Sequence, residues 1–151
     1  MTGLVAVPPG GAAYAQLRAW LDAAALATAD MADGAPRYFA LPDANGDPAA
    51  FGGLAGNGPD LLLRSLVVHP AARRSGIGAR LVAALEGEAR AKGGAALWLL
   101  TEGAAPFFTR LGFTTVERAT APPSIAASSQ LQGLCPATAA LMRKPIDGVT
   151  A

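Results

Sequence analysis

The sequence predicts an α/β (α+β) fold, a mixed central sheet of about six to seven strands flanked by helices. Three observations lead there. Strand-like apolar runs alternate with helical patterns from one end of the chain to the other. Leu61 to Val68 is almost continuously apolar, as expected of a strand covered on both faces. A short glycine loop then opens directly into an amphipathic helix, the usual way a strand is handed to the layer above it.

The elements follow in order. Leu4 to Val7 is a first strand, stopped by Pro8-Pro9-Gly10-Gly11. Ala12 to Leu26 is a helix whose Leu17, Trp20, Leu21 and Ala24 share a face. Thr28 to Gly34 is a loop or short helix. Arg37 to Leu41 and Ala49 to Leu54 form a hairpin around the turn residues Pro42 to Pro48. Leu61 to Val68 is the central strand. Helix 76–92 turns Ile77, Leu81, Leu85 and Ala89 inward and stops at Gly93-Gly94. Ala95 to Thr101 is another buried strand, followed by a helix around 104–111 and a strand from Gly112 to Arg118. Ser124 to Leu131 is read as a short helix and Ala139 to Arg143 as the last strand.

Composition sets outer bounds. With 151 residues and no internal repeat, one domain spanning 1–151 is expected. A net charge of +1 provides no global basic field for nucleic acid or anionic lipid. The single cysteine excludes an internal disulfide. The N-terminus lacks a signal-peptide pattern, and no apolar run approaches the roughly eighteen residues of a membrane span. A cytoplasmic protein with no membrane and no nucleic-acid partner is the expectation.

The basic charge is local. Arg73, Arg74 and Arg80 cluster at the loop Arg73-Arg74-Ser75-Gly76-Ile77-Gly78-Ala79, just where a helix start leaves backbone N–H groups unpaired. Gly76 and Gly78 let an anion approach the backbone without meeting a Cβ. Two arginines add charge that does not titrate away. A diphosphate suits such a loop. It is not a P-loop, because Ile77-Gly78-Ala79 lacks the lysine and the hydroxyl. It is not a dinucleotide fingerprint, because the third glycine position is Leu81. The competing reading is a tight strand-to-helix turn with incidental glycines.

The spacing Arg73-x-x-Gly76-x-Gly78 after Leu66-x-Val68-His69-Pro70 resembles the acyl-CoA loop of the GNAT superfamily of N-acetyltransferases. A second block agrees. Many members carry Asn-x-x-Ala-x-x-x-Tyr-x-x-x-Gly-Phe after the next strand, and here Thr101, Ala104, Phe108, Gly112 and Phe113 occupy those positions. The resemblance implies a sheet splayed at an acetyl-CoA site, with acetyl-CoA as co-substrate and no metal. Leu66, Val67 and Val68 would pair with the pantetheine arm, and the Leu66 backbone N–H would polarise the acetyl carbonyl, an oxyanion role worth about 3 kcal/mol of barrier. Ser75, Gly76, Ile77, Gly78 and Ala79, with Arg73 and Arg74, would hold the diphosphate. Thr101 and Phe108 would touch the cofactor too.

One departure bears on mechanism. The family's tyrosine commonly protonates the departing thiolate, and Phe108 cannot donate a proton. Tyr14 and Tyr38 lie in early elements, and Cys135 is far along the chain. A thiolate is a tolerable leaving group, so positioning and a backbone donor can carry the reaction. The attacking amine must still lose a proton. His69, the only histidine, closes the strand and is read as structural. Glu102 is the candidate base, acting through water. Arg64 inside an apolar strand is costly unless paired or facing a cleft. It either clamps an acidic group on the acceptor or makes a salt bridge to Asp60, Glu102 or Glu117. Arg64, Ser65 and Arg118 are the candidate acceptor-binding residues.

Particular words narrow the likeness. Leu61 to Val68, Leu99-Leu100-Thr101 with Phe107-Phe108, Arg118 with Ala121-Pro122, and Leu134 to Ala139 before Met142 are similar to the second class of bacterial arsenic-resistance N-acetyltransferases, the ArsN group. Leu131 and Glu102-Gly103 depart from it. A lone Cys135 does not suit arsenite capture, which needs two or three thiolates. Acetylation of a small, amino-acid-like amine fits better. Protein or peptide acetylation and a non-catalytic acetyl-CoA sensor stay open as alternatives; oligomeric state is open too, a homodimer being common for this fold because of its exposed strand edges.

Overall fold

The computed structural model describes residues 3–26, 31, 36–56, 58–72, 75–128, 131 and 138–146. Its elements in chain order are β1 (Val5–Val7), α1 (Ala12–Ala23), β2 (Arg37–Pro42), β3 (Pro48–Ala55), β4 (Asp60–Val68), α2 (Ile77–Ala91), β5 (Ala96–Thr101), α3 (Ala105–Arg110), β6 (Thr114–Val116), α4 (Pro123–Ala126) and β7 (Ala140–Pro145). The strands form one sheet in the order β1-β2-β3-β4-β5-β7-β6. Every neighbouring pair is antiparallel except β4 and β5. The expected mixed sheet flanked by helices is present, with seven strands among the described residues.

The hairpin forms where the turn chemistry placed it. The Asp43 carboxylate accepts the backbone N–H groups of Asn45 and Asp47 at 2.8 and 3.1 Å, folding β2 back onto β3. On one face of the sheet Leu81, Leu85 and Ala89 of α2 pack on Leu54, Leu61, Leu63 and Leu97. On the other, Leu17 and Leu21 of α1 meet Phe51, Tyr38 and Val67, while Ile125 of α4 covers Leu62, Trp98 and Leu141. The alternation of β4 is therefore read by two layers at once, which explains its unbroken apolar run.

Some boundaries move. Helix α1 ends at Ala23 rather than Leu26, and Ala24 lies exposed. The strand expected from Gly112 to Arg118 contracts to Thr114–Val116, because Phe113 N–H still caps the preceding helix on Phe108 O and a 3₁₀ turn begins at Arg118. The fourth helix begins at Pro123 and covers one turn. Thr28 to Gly34 falls almost wholly outside the described residues; only Met31 is described, buried and accepting a hydrogen bond from Tyr38 Oη at 3.1 Å.

Two features of the sheet create the site. The first is a splay. β4 and β5 are paired only at Asp60–Ala96, Leu61–Leu97 and Leu62–Trp98. Beyond that, β4 runs on to Val68 held by β3, and β5 runs on to Thr101 held by β7. The second is a bulge. Phe51 pairs with Val67 and Gly53 with Arg64, so Ser65 and Leu66 together face Gly52 alone. Ser65 takes a φ of +58°, in the left-handed region.

Candidate active site

Glycines in β3 make room for the bulge. A Cβ on Gly52 would lie 2.6 Å from Leu85 Cδ1 and 2.7 Å from Leu66 Cδ2. One on Gly53 would lie 2.8 Å from the Tyr38 ring. The bulged Leu66 therefore folds over bare backbone towards α2, while Tyr38 covers the opposite face. Tyr38, Gly53 and Arg64 occupy one row across three strands. With no side chain between them, the Arg64 guanidinium reaches across to 5.9 Å from the Tyr38 ring centroid, a cation–π contact. Arg64 Nε also donates to Ser65 Oγ at 3.2 Å. These contacts hold an arginine that is only 4% exposed. The Asp60 carboxylate, one of the salt-bridge partners expected for it, instead accepts the Trp98 indole N–H at 2.9 Å.

The splay encloses a cavity of about 600 Å³. From β4 it is lined by Leu63, Arg64, Ser65, Leu66 and Val68; from β5, by Leu99, Leu100 and Thr101. Gly76, Gly78, Ala79, Leu81 and Val82 line it from the loop and α2, and Phe107, Phe108 and Arg110 from α3. Of the residues expected to bind cofactor or acceptor, nine thus meet around one space: Arg64, Ser65, Leu66, Val68, Gly76, Gly78, Ala79, Thr101 and Phe108.

Others are placed elsewhere. Val67 points to the far face and packs with Leu17 and Leu21. Ser75 is exposed, and its hydroxyl donates to Ala72 O. Ile77 packs on the core under α2. Glu102 is exposed on the turn after β5 and does not line the cavity. Arg118 Nη2 donates to Ala139 O at 3.1 Å, beside the start of β7, also away from the lining. Arg73, Arg74 and Cys135 lie outside the described residues.

The loop has the chemistry an anion needs. Helix α2 starts from Gly76 at φ +83°, with no side-chain cap and no acidic residue in its first turn. Its first N–H groups are left for another acceptor. Gly78 has a second role that the sequence did not show: a Cβ there would stand 3.2 Å from Phe107 Cζ, so the glycine lets α3 close against the helix start. Phe108 is 6% exposed and packs edge-on against Phe107 and Phe113. Thr101 Oγ1 accepts the Ala104 N–H at 3.1 Å and so starts the turn into α3. His69 Nδ1 accepts the Ala71 N–H at 3.0 Å and its ring lies edge-on to Trp20, which is the structural role expected for it.

The family comparison gives the same answer. The model of the acetyltransferase (GNAT) family matches residues 9–113. The chain belongs to that family. It is accordingly an N-acetyltransferase. Solved structures share the fold at low identity. N-acetylglutamate synthase from Neisseria gonorrhoeae, crystallised with coenzyme A and N-acetyl-glutamate, superposes with a TM-score of 0.75 at 16% identity, over 95% of this chain and 35% of that one. A GNAT acetyltransferase from Staphylococcus aureus Mu50 gives 0.70 at 12% identity, over 95% and 99%. An aminoglycoside 6'-N-acetyltransferase complexed with coenzyme A gives 0.68 at 19%, over 95% and 96%. No curated protein matches the chain.

The sequence missed Leu81, Val82, Leu99, Phe107 and Arg110 as lining residues. Leu81, Val82 and Leu99 are buried in the core as well; the cavity reaches into the α2 layer. It also missed Glu86, 7% exposed on an otherwise apolar face, whose carboxylate takes Lys144 Nζ at 2.6 Å and Arg90 at 3.6 Å. Among the described residues no group of three or more metal-ligating side chains is present, and no helix is long and apolar enough to cross a membrane.

Proposed function

We propose that residues 1–151 form one cytoplasmic acetyltransferase domain that moves the acetyl group of acetyl-CoA to the primary amine of a small, amino-acid-like molecule. The observation that carries this is the buried arginine on the wall of the splay. The pantetheine arm is an amide chain, and the unpaired edge of β4 from Leu66 to Val68 offers it strand-like hydrogen bonds. The uncapped start of α2 at Gly76 to Ala79, with Ser75, Arg73 and Arg74, takes the diphosphate. The Leu66 N–H, on the bulge, is the oxyanion donor of this reading.

Arg64 is placed to recognise the acid end of the acceptor, because a guanidinium inside apolar walls binds a carboxylate, phosphonate or arsonate more strongly than one in water. Arg118 stands further out along the same sheet end, and Glu102, on the exposed turn after β5, is the base that through water turns the acceptor's ammonium into a free amine before it attacks. An organoarsenical amino acid is a substrate of this kind; acetylation removes the amine charge that lets it mimic a natural amino acid. This keeps the ArsN likeness and an arsenic-resistance role without direct arsenic binding.

The test is free-thiol release from acetyl-CoA against amino acids, amino-acid-like arsenicals and phosphonates, polyamines and short peptides. Acetylation of an acidic amino-acid-like amine, with KM for that acceptor raised about tenfold or more in Arg64→Ala, is the expected result. Turnover of peptides alone moves the reading to protein acetylation. Acetyl-CoA binding without any thiol release moves it to a sensor.

A further inference from the structure

We propose that Ser65 is a catalytic residue, its hydroxyl passing a proton from the attacking amine to the departing sulfur in the role that Phe108 cannot fill. This deepens the acetyl-transfer reading of the cleft and rests on it. Among the described residues lining the cavity, the polar side chains are Arg64, Ser65, Thr101 and Arg110. The two guanidinium groups offer N–H donors but no acceptor, so they cannot relay a proton. Thr101 stands on the opposite strand and accepts a neutral backbone N–H rather than a guanidinium, so its O–H is not sharpened as a donor in the same way. Ser65 is on the bulge itself, one residue before the amide that polarises the carbonyl.

Its setting suits the task. A hydroxyl has one proton and two lone pairs. Arg64 Nε occupies one lone pair and, being cationic, makes the O–H a stronger donor. The second lone pair and the proton remain for the reacting groups. Ser65 also holds φ +58°, a conformation that disfavours any residue with a Cβ by about 1 kcal/mol, and such strain concentrates at functional positions.

The step balances without a free alkoxide, which a serine could not sustain against a thiolate. The amine nitrogen forms the C–N bond and becomes positively charged. As the C–S bond breaks and its electron pair goes to sulfur, Ser65 Oγ takes one proton from that nitrogen and gives its own to sulfur. The products are the neutral amide and the CoA thiol, and Ser65 ends unchanged.

Two variants separate this from a merely structural role. Ser65→Gly removes the hydroxyl and relieves the left-handed strain; Ser65→Ala removes the hydroxyl and keeps it. First, CoA is bound to each protein and its thiol titrated by thiolate absorbance near 240 nm, with CoA-free protein subtracted to remove Cys135. A donor at the sulfur lowers the titration midpoint of bound CoA in the wild type by about one pH unit relative to both variants, with CoA affinity retained. Second, kcat falls about a hundredfold in both, with KM for acetyl-CoA little changed.

Equal midpoints in all three proteins overturn the proposal, as does a kcat loss confined to only one variant, which would track the backbone rather than the hydroxyl. If no acceptor is turned over but the midpoints separate, the acceptor reading fails and the Ser65 contact stands. If CoA does not bind the wild type, both fall.

Discussion

The two ends of the β4–β5 pair are built from the same kinds of residue and do opposite things. At the base, Asp60, Leu61 and Leu62 are in register with Ala96, Leu97 and Trp98, and every layer closes on them. The indole N–H of Trp98 is tied to Asp60, and Glu86 of α2 reaches Lys144, which sits opposite Leu97. At the tip, the strands part, β4 bulges, and the first turn of α2 carries no cap. The base satisfies its polar groups internally; the tip leaves backbone and hydroxyl groups for something else. Stability and the proposed function are thus separated along one strand by a few residues.

The comparison predicts that base and tip variants sort differently. Trp98→Ala, at the base, should cost about 4 kcal/mol in urea denaturation, since it removes a nearly buried indole and strands the Asp60 carboxylate. Glu86→Ala should cost about 2 kcal/mol by the same measurement, less because Lys144 keeps some water. Gly52→Val, beneath the tip, should cost about 1 to 2 kcal/mol, and it should raise KM for acetyl-CoA about tenfold because Leu66 must move from the bulge. Ser65→Gly should leave the denaturation midpoint nearly unchanged, relief of the left-handed strain offsetting the glycine's chain entropy. A tip variant that unfolds the protein as severely as Trp98→Ala would break the separation.

Periodicity and turn chemistry were enough for the order of elements, because both are local. The apolar run of β4, the Asp43 turn and the inward face of α2 each report their own neighbourhood. The glycine loop could be singled out as a candidate anion site for the same reason: arginines, two glycines and a helix start are contiguous in the chain. Phe108 could be recognised as a missing donor, since its identity alone decides that.

What only the tertiary structure decided concerns residues that are distant in sequence. Whether Arg64 faced a cleft depended on Gly53 leaving space for it beside Tyr38, and on β5 having already turned away. The bulge at Ser65 and Leu66 has no local signature, because it is a mismatch of register between two strands rather than a property of either. Nor does anything local to Glu86 show that β7 brings Lys144 over it. Sequence determined which strands and helices form, since backbone propensity and side-chain period act within a few residues. Packing determined which polar groups are left at the splay, since that follows from where the strands stop holding one another.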